Sequence, residues 1–100
     1  MKTFEMTELS ALILSTLTQP IHGYDIMKVI ESDLGDYQSI GPATLYTTLS
    51  KLLKAKLCTY TVDGKKKVYT ITPLGRDVLH REIQKHEKMV TFMKEMQLEG

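Results

Sequence analysis

A single β-hairpin signal in an otherwise helical pattern constrains the fold of this chain more than any other feature. Residues 57–62, LCTYTV, and residues 67–72, KVYTIT, are rich in the β-branched and aromatic residues that strands favour. Between them lies Asp63-Gly64, one of the strongest short hairpin signals. Because the hairpin supplies only two strands, the rest of the core must come from helices.

Helical periodicity and capping residues predict three helices before the hairpin and one after it. Thr7 is a good N-cap for the first helix, and Gly35 is expected as the C′ residue of the second. Pro42 marks the start of the third helix, and Thr72 caps the last. The predicted helices cover about residues 7–18, 22–34, 42–56 and 73–97.

Three helices, a hairpin and a long final helix follow the order of a winged helix-turn-helix. We therefore expect a mainly α fold with a small two-stranded wing. At 100 residues the chain has room for one domain with a small core. Residues 1–72 would form the winged helix-turn-helix, and residues 73–100 a C-terminal dimerisation helix packed on the same domain.

Cysteine usage and hydropathy favour a cytoplasmic protein without a membrane partner. Cys58 is the only cysteine, so the chain forms no internal disulfide, and a reducing compartment fits this best. No run approaches the roughly 18 apolar residues of a membrane span. The N-terminal apolar stretch follows Glu5 and Glu8, which indicates a helix rather than a signal peptide.

Positive charge is concentrated in the middle of the chain, although the net charge is only +1. Residues 1–41 hold two lysines against six acids, a charge of −4. Residues 42–72 hold six lysines against Asp63 alone, a charge of +5, and residues 73–100 are neutral. Three of those lysines are adjacent, at 65–67 beside the predicted turn. A local basic face of this kind can bind a polyanion.

The third predicted helix carries leucines on one face and small polar residues and lysines on the other. In a helix-turn-helix the second helix of the motif enters the major groove, and the wing follows the phosphate backbone. Double-stranded DNA is therefore the expected partner. The predicted DNA-binding residues are Ala43, Thr44, Tyr46, Thr47, Ser50, Lys51, Lys54, Lys65, Lys66 and Lys67.

The last predicted helix has an apolar stripe too long for a three-helix core to cover. A two-fold partner would hide the remainder, and methionines make such a surface adaptable enough for an effector. A tail that frays or folds back on its own domain is the alternative. The predicted dimer-interface residues are Leu79, Ile83, Met89, Val90, Phe92, Met93 and Met96.

The other reactive side chains do not indicate an enzyme. Cys58 is interpreted as core packing, as are Tyr24 and Tyr69. His22, His80 and His86 lack a metal-ligand spacing, and no nucleophile–base pair or phosphate-binding glycine loop is evident. We expect no catalytic residue, no cofactor and no metal.

Three segments resemble the PadR family of bacterial transcriptional regulators. They are HGYDI at 22–26, PATLYTTLSKL at 42–52 and YTITPLGRDVL at 69–79. They occur in the order seen in that family and cover about residues 9–80. Two positions depart from the usual pattern: Ala43 stands where the family usually has Gly, and Thr47 where it often has Pro.

The resemblance implies a homodimeric winged-helix repressor whose C-terminal helices dimerise. Members often release DNA when they bind a small aromatic or drug-like effector. Carried over to this chain, the resemblance places Thr44, Tyr46 and Thr47 at the DNA surface and the lysines of the wing on phosphate. A two-fold dimer would suit an inverted-repeat operator.

A protein–protein adaptor built on the same fold is the alternative from another functional class. An adaptor would more often present apolar or mixed residues on the third helix and the wing. Salt dependence separates the two readings, because affinity for duplex DNA falls steeply as salt rises.

Overall fold

A computed structural model describes residues 4–99 and shows four helices and one three-stranded sheet in that range. The elements in chain order are α1 (Glu8–Thr16), β1 (Ile21–His22), α2 (Gly23–Leu34), α3 (Pro42–Lys54), β2 (Cys58–Asp63), β3 (Lys66–Ile71) and α4 (Pro73–Glu99). The order confirms the predicted winged helix-turn-helix, with β2 and β3 as its wing. No helix in the described range is both long and apolar enough to cross a membrane.

The helix starts follow the capping chemistry of the sequence. The Thr7 hydroxyl accepts a hydrogen bond from the Ser10 N–H at 3.0 Å, and the Thr72 hydroxyl accepts one from the Gly75 N–H at 3.0 Å. Pro42 occupies the first turn of α3, where a missing N–H costs nothing. These caps are local, which explains why the predicted starts agree with the observed ones.

The sheet has a third strand that the sequence does not predict. Its order is β1-β3-β2, with antiparallel pairing throughout. Ile21 pairs with Tyr69 and His22 with Val68, so the central strand β3 joins the wing to the residues just before α2. A two-residue strand is too short to show a periodic pattern, and only its partner strand defines it.

The hairpin turn lies one residue beyond the predicted position. Asp63 pairs with Lys66, which leaves Gly64 and Lys65 as the two loop residues. Gly64 has φ of 63°, and Lys65 is not among the residues with positive φ. Positive φ at the first loop residue alone matches a type II′ turn, for which glycine at that position is favoured.

The left-handed residue that the sequence predicts after α2 is found after α3 instead. Gly35 was expected to be a left-handed C′ residue, but it is a right-handed C-cap with φ of −56°. Lys56, after α3, has φ of 62° instead. The Lys56 N–H donates to the Leu53 carbonyl and the Leu57 N–H to the Leu52 carbonyl, each at 3.0 Å. This is a Schellman ending with lysine where glycine is usual.

The core lies where α1, α2 and α3 meet the sheet and the start of α4. The predicted leucine face of α3 is buried: Leu45, Leu49 and Leu52 are at most 1% exposed. Cys58 and Tyr69 are buried as expected. The buried hydrophobic residues are Ile13, Leu14, Leu17, Ile26, Ile30, Leu45, Leu49, Leu52, Leu57, Cys58, Tyr69, Ile71 and Leu79.

Tyr24 is exposed, contrary to the prediction that it packs in the core. Its side chain is 61% exposed, and the Lys28 ammonium lies 4.7 Å from the centre of its ring. Tyr24 is in the first turn of α2, on the side away from the buried Ile26 and Ile30. Its ring therefore belongs to the molecular surface beside the wing.

Candidate nucleic-acid interface

Helix α3 presents all of its predicted DNA-binding residues to solvent. Its leucines anchor one side in the core, so residues spaced three or four apart share the opposite side. Thr48 is buried and donates its hydroxyl to the Thr44 carbonyl at 2.8 Å, which satisfies it within the helix. The exposed predicted residues of α3 are Ala43, Thr44, Tyr46, Thr47, Ser50, Lys51 and Lys54.

Tyr46 lies at the margin of this exposed side, about 100° around the helix from the buried Leu45. It is 45% exposed, and its ring packs over Gly23 at the start of α2. A Cβ atom at Gly23 would lie 3.1 Å from the Tyr46 hydroxyl oxygen and 3.4 Å from the Tyr69 ring. Glycine at 23 therefore allows Tyr46 to sit between α2 and the wing with its hydroxyl near the surface.

The wing presents Lys65, Lys66 and Lys67, called here the wing lysines, and all three are exposed. The Lys67 ammonium lies 4.5 Å from the centre of the Tyr60 ring. Tyr60 contacts Tyr69 in turn, with ring centroids 6.0 Å apart and tilted by 48°. A cation held over an aromatic face is directed rather than freely rotating, so this ring orients one of the three charges.

A cleft of about 400 Å³ joins these features, and we call it the wing cleft. The start of α2, the Tyr46 side chain of α3, the Tyr69 ring of β3 and the wing lysines all border it. The structure thus brings Tyr46 together with Lys65, Lys66 and Lys67. The other predicted residues of α3 lie outside the cleft, on the exposed side of the same helix.

The sequence predicts no functional residue at the start of α2, yet His22, Gly23, Tyr24 and Asp25 form one wall of the wing cleft. The motif HGY was the available signal. Its place in the cleft depends on the pairing of β1 with the wing strand β3.

Burial raises the pKa of two weakly acidic groups near the wing, Cys58 and Tyr69. Burial raises the pKa of the Cys58 thiol to about 11, so that thiol is protonated and unreactive near neutral pH. Burial first, and the neighbouring Tyr46, Cys58 and Tyr60 next, raise the pKa of the Tyr69 hydroxyl. The cleft wall formed by Tyr69 therefore adds no negative charge opposite the wing lysines.

Histidine and acidic side chains do not assemble a metal site in residues 4–99. Within that range no group of three His, Cys, Asp or Glu side chains lies close enough together to hold a metal ion. The His86 ring and the Glu82 carboxylate form a pair 2.9 Å apart on one face of α4. These two side chains come from adjacent turns of one helix and form a hydrogen bond with each other.

The outer half of α4 extends beyond the core and exposes its apolar stripe. Phe92 is 60% exposed, and Met89 and Met96 lie on its side of the helix, whereas Ile83 and Val90 lie on the opposite side. Leu79 differs from the other predicted interface residues, because it is only 8% exposed and packs in the chain's own core. The exposed members are Ile83, Met89, Val90, Phe92, Met93 and Met96.

A groove of about 610 Å³ lies between α1 and α4. Leu12 from α1 and Ile83 and Val90 from α4 give it apolar walls, and Glu82 and His86 stand among its polar residues. Of the exposed apolar residues of α4, Ile83 and Val90 line this groove, whereas Met89, Phe92 and Met96 lie on the other side of the helix.

Comparison with known proteins gives a consistent family assignment. The family model for the transcriptional regulator PadR-like family matches residues 13–81. A negative transcriptional regulator, PadR of Bacillus subtilis strain 168, is 30% identical over 80 residues, which are 75% of this chain and 44% of that protein. This chain therefore spans less than half the length of that relative.

Solved structures agree with this comparison. Bacillus subtilis PadR in complex with operator DNA matches with a TM-score of 0.70 and 32% identity, over 79% of this chain and 48% of that one. A PadR family transcription regulator from hypervirulent Clostridium difficile matches with a TM-score of 0.77 and 22% identity, over 90% of this chain and 98% of that one. The second likeness supports the fold alone.

Proposed function

The chain belongs to the PadR-like family of transcriptional regulators, and from this premise we propose that it binds duplex DNA through α3 and the wing. The observation that carries the proposal is the wing cleft, where Tyr46 of α3 and the wing lysines face the same space. A helix side and a hairpin tip that adjoin in this way can follow one stretch of DNA together.

Each element has a distinct part in the proposed complex. The N-terminal part of α3 enters the major groove, where Ala43, Thr44 and Thr47 are short enough for a close approach to base edges. Lys51 and Lys54 lie further along the helix, where they reach phosphates that flank the groove. The Tyr46 hydroxyl and the wing lysines contact the adjacent backbone, and Ser50 supplements them.

The charge distribution supports DNA over a protein partner. Residues 42–72 carry six lysines and one acid, and the exposed side of α3 consists mainly of hydroxyls and lysines, with the Tyr46 ring at its margin. An adaptor surface buries apolar residues at its centre. The Bacillus subtilis relative was solved in complex with operator DNA, which supports the same partner for this chain.

We propose further that the regulator acts as a homodimer, with residues 73–100 as the dimerisation helix. The outer half of α4 carries exposed Phe92, Met93 and Met96, and the groove between α1 and α4 is apolar. A second copy could place its own α4 stripe in that groove, which hides both surfaces at once. The two recognition helices would then read an inverted repeat with half-sites about 34–36 Å apart.

Repression and effector release form the remaining parts of the proposal. The Bacillus subtilis relative is a negative transcriptional regulator, and a dimer of this chain bound over an operator would block transcription. The methionines Met89, Met93 and Met96 give the proposed interface an adaptable apolar lining. A small aromatic or drug-like effector would bind there and release the DNA.

The test of DNA binding is the affinity for random duplex DNA at 50 and 200 mM salt. A binder with six to ten phosphate contacts loses about 10³- to 10⁵-fold over this range. Replacing the wing lysines together by alanine should weaken binding to every duplex and reduce that salt dependence. The matched control replaces Lys85, Lys88 and Lys94 on α4, which should leave the salt dependence unchanged. A flat response of the unmodified protein would favour the adaptor.

A further inference from the structure

The wing lysines are accompanied by one acidic residue, Asp63. It ends β2 opposite Lys66 in the hairpin register, and it is the only Asp or Glu between residues 42 and 72. A carboxylate among three ammonium groups competes with phosphate for them. An ammonium already paired with Asp63 releases fewer counterions when DNA arrives. The position of this carboxylate therefore affects how much wing charge is available to DNA.

The Asp63 carboxylate is directed toward His22. Its Oδ2 atom lies 3.4 Å from Nε2 of the His22 ring. Within residues 4–99, no lysine ammonium lies within 4.0 Å of the Asp63 carboxylate. Lys67 instead places its ammonium over the Tyr60 ring. The Asp63 carboxylate therefore contacts the His22 ring and forms no close pair with a wing lysine.

His22 is well fixed for this role. It pairs with Val68 of the central strand, and it is the N-cap residue of α2 without a side-chain capping bond. Its Nδ1 atom lies 3.9 Å from the Asp25 carboxylate, so the ring stands between two acidic groups. A protonated ring attracts both carboxylates, and the Asp63 carboxylate lies nearer to it than the Asp25 carboxylate.

We propose that His22 is a positioning residue that holds the Asp63 carboxylate away from the wing lysines and so keeps their charge available to phosphate. This inference rests on the proposed DNA-binding function. The residue acts through Asp63, and its own contact with DNA is not required. It also gives the HGY motif a role in charge placement that neither helix capping nor core packing provides.

The expected size of the effect follows from two limits. The pair is on the surface, with side chains 36% and 74% exposed, and exposed pairs contribute up to about 1 kcal/mol, which corresponds to about 5-fold. Complete loss of one phosphate contact costs about 8-fold at 0.1 M salt and flattens the salt slope by about 0.9. The smaller limit applies, so His22→Ala should weaken duplex binding by up to about 5-fold for each wing engaged.

The test is a double-mutant cycle of His22→Ala and Asp63→Asn, measured as affinity for random duplex DNA over a salt series. Asp63→Asn should raise affinity more in the His22→Ala protein than in the unmodified one, because only there does the carboxylate occupy a lysine. The double variant should regain the original salt slope. His22→Gln, whose amide keeps a donor, should lose less than His22→Ala.

Equal effects of Asp63→Asn in both backgrounds would overturn the inference, because a merely structural loss at His22 would not be rescued by removing a carboxylate. If His22→Ala does not fold, His22→Phe replaces it in the cycle and the same additivity overturns the inference. If the unmodified protein has no salt-dependent affinity for duplex DNA, the proposed function fails and this inference with it. Salt-dependent binding with an additive cycle removes the inference alone.

Discussion

Replacing Gly75 by alanine should destabilise the fold, because the added methyl group would collide with the backbone of another element. Gly75 is in the first turn of α4, and a Cβ atom there would lie 2.0 Å from the Leu57 carbonyl oxygen and 2.8 Å from Ile71 Cγ1. The obstacle is a backbone atom at the Schellman ending of α3, so no side-chain rotation relieves it. Helix α4 would have to move away from α3 by about 1 Å.

That movement also disturbs two hydrogen bonds at the same junction. The Thr72 hydroxyl donates to the Lys56 carbonyl at 2.7 Å, and the Thr72 N–H donates to the Leu57 carbonyl at 3.0 Å. Overpacking costs about 1–3 kcal/mol, and each weakened hydrogen bond adds up to about 1 kcal/mol. The higher helix propensity of alanine returns about 0.5–1 kcal/mol. These terms sum to at most about 4 kcal/mol, and the collision with a backbone oxygen places the expected loss in the free energy of unfolding in the upper half of that range, about 2–4 kcal/mol.

Thermal denaturation followed by circular dichroism measures this loss. For a chain of this size the expected loss lowers Tm by roughly 10–25 °C. Gly41→Ala is the matched control, because a Cβ atom at Gly41 meets nothing within 4 Å, and it should cost at most about 1 kcal/mol for the poorer N-cap. A Gly75→Ala protein that melts within about 2 °C of the unmodified one would refute the packing of α4 against Leu57.

Three further predictions concern stability and assembly. Lys56→Gly should stabilise the fold by about 1 kcal/mol, because lysine at φ of 62° is strained and glycine is not. The control Lys54→Gly, within α3, should lower the stability instead. An unchanged or lower Tm of the Lys56→Gly protein would contradict this prediction. Burial raises the pKa of Cys58 from 9.0 to about 11, so the contribution of the buried thiol to stability is complete below pH 9 and is lost as the pH rises to about 11. Chemical denaturation across that range should show a fall in the free energy of unfolding that is smaller for Cys58→Ala. An identical fall in both proteins would disprove this contribution. Truncation after Lys88 should give monomers in sedimentation, because it removes the exposed apolar end of α4; a surviving dimer would place the interface elsewhere.

The helices were predictable because their signals are local. Thr7, Pro42 and Thr72 each start a helix through contacts within a few residues, and the leucine spacing of α3 assigns its buried side. The family likeness, which the comparisons confirm, was also visible in the sequence, because two of its three motifs begin at helix starts. Local chemistry therefore accounts for the fold class.

The differences from prediction arise where distant segments meet. Strand β1 exists only because Ile21 and His22 reach β3, about 47 residues later in the chain. Tyr24 is exposed because α2 turns that side toward the wing and away from the core. Lys56 is left-handed at the end of α3, where the Thr72 hydroxyl before α4 donates a hydrogen bond to its carbonyl.

Part of the candidate site was also predictable from local sequence, and part depends on contacts between distant segments. The exposed residues of α3 follow from its helical period, and the wing lysines from their position beside the hairpin. The wing cleft does not follow from either, because it requires Gly23 to admit Tyr46 and β1 to join the wing. The pairing of His22 with Asp63 depends on the same tertiary contact.

The central claim is that the exposed side of α3 and the wing act as one surface for a polyanion. The most direct measurement is the salt slope of duplex binding for four proteins: unmodified, Lys51 and Lys54 replaced by alanine, the wing lysines replaced, and all five replaced. We expect the first change to reduce the slope by up to about 1.8 per chain, the second by up to about 2.7, and the combination by their sum. An unchanged slope after either replacement would exclude that element from the surface and contradict the account.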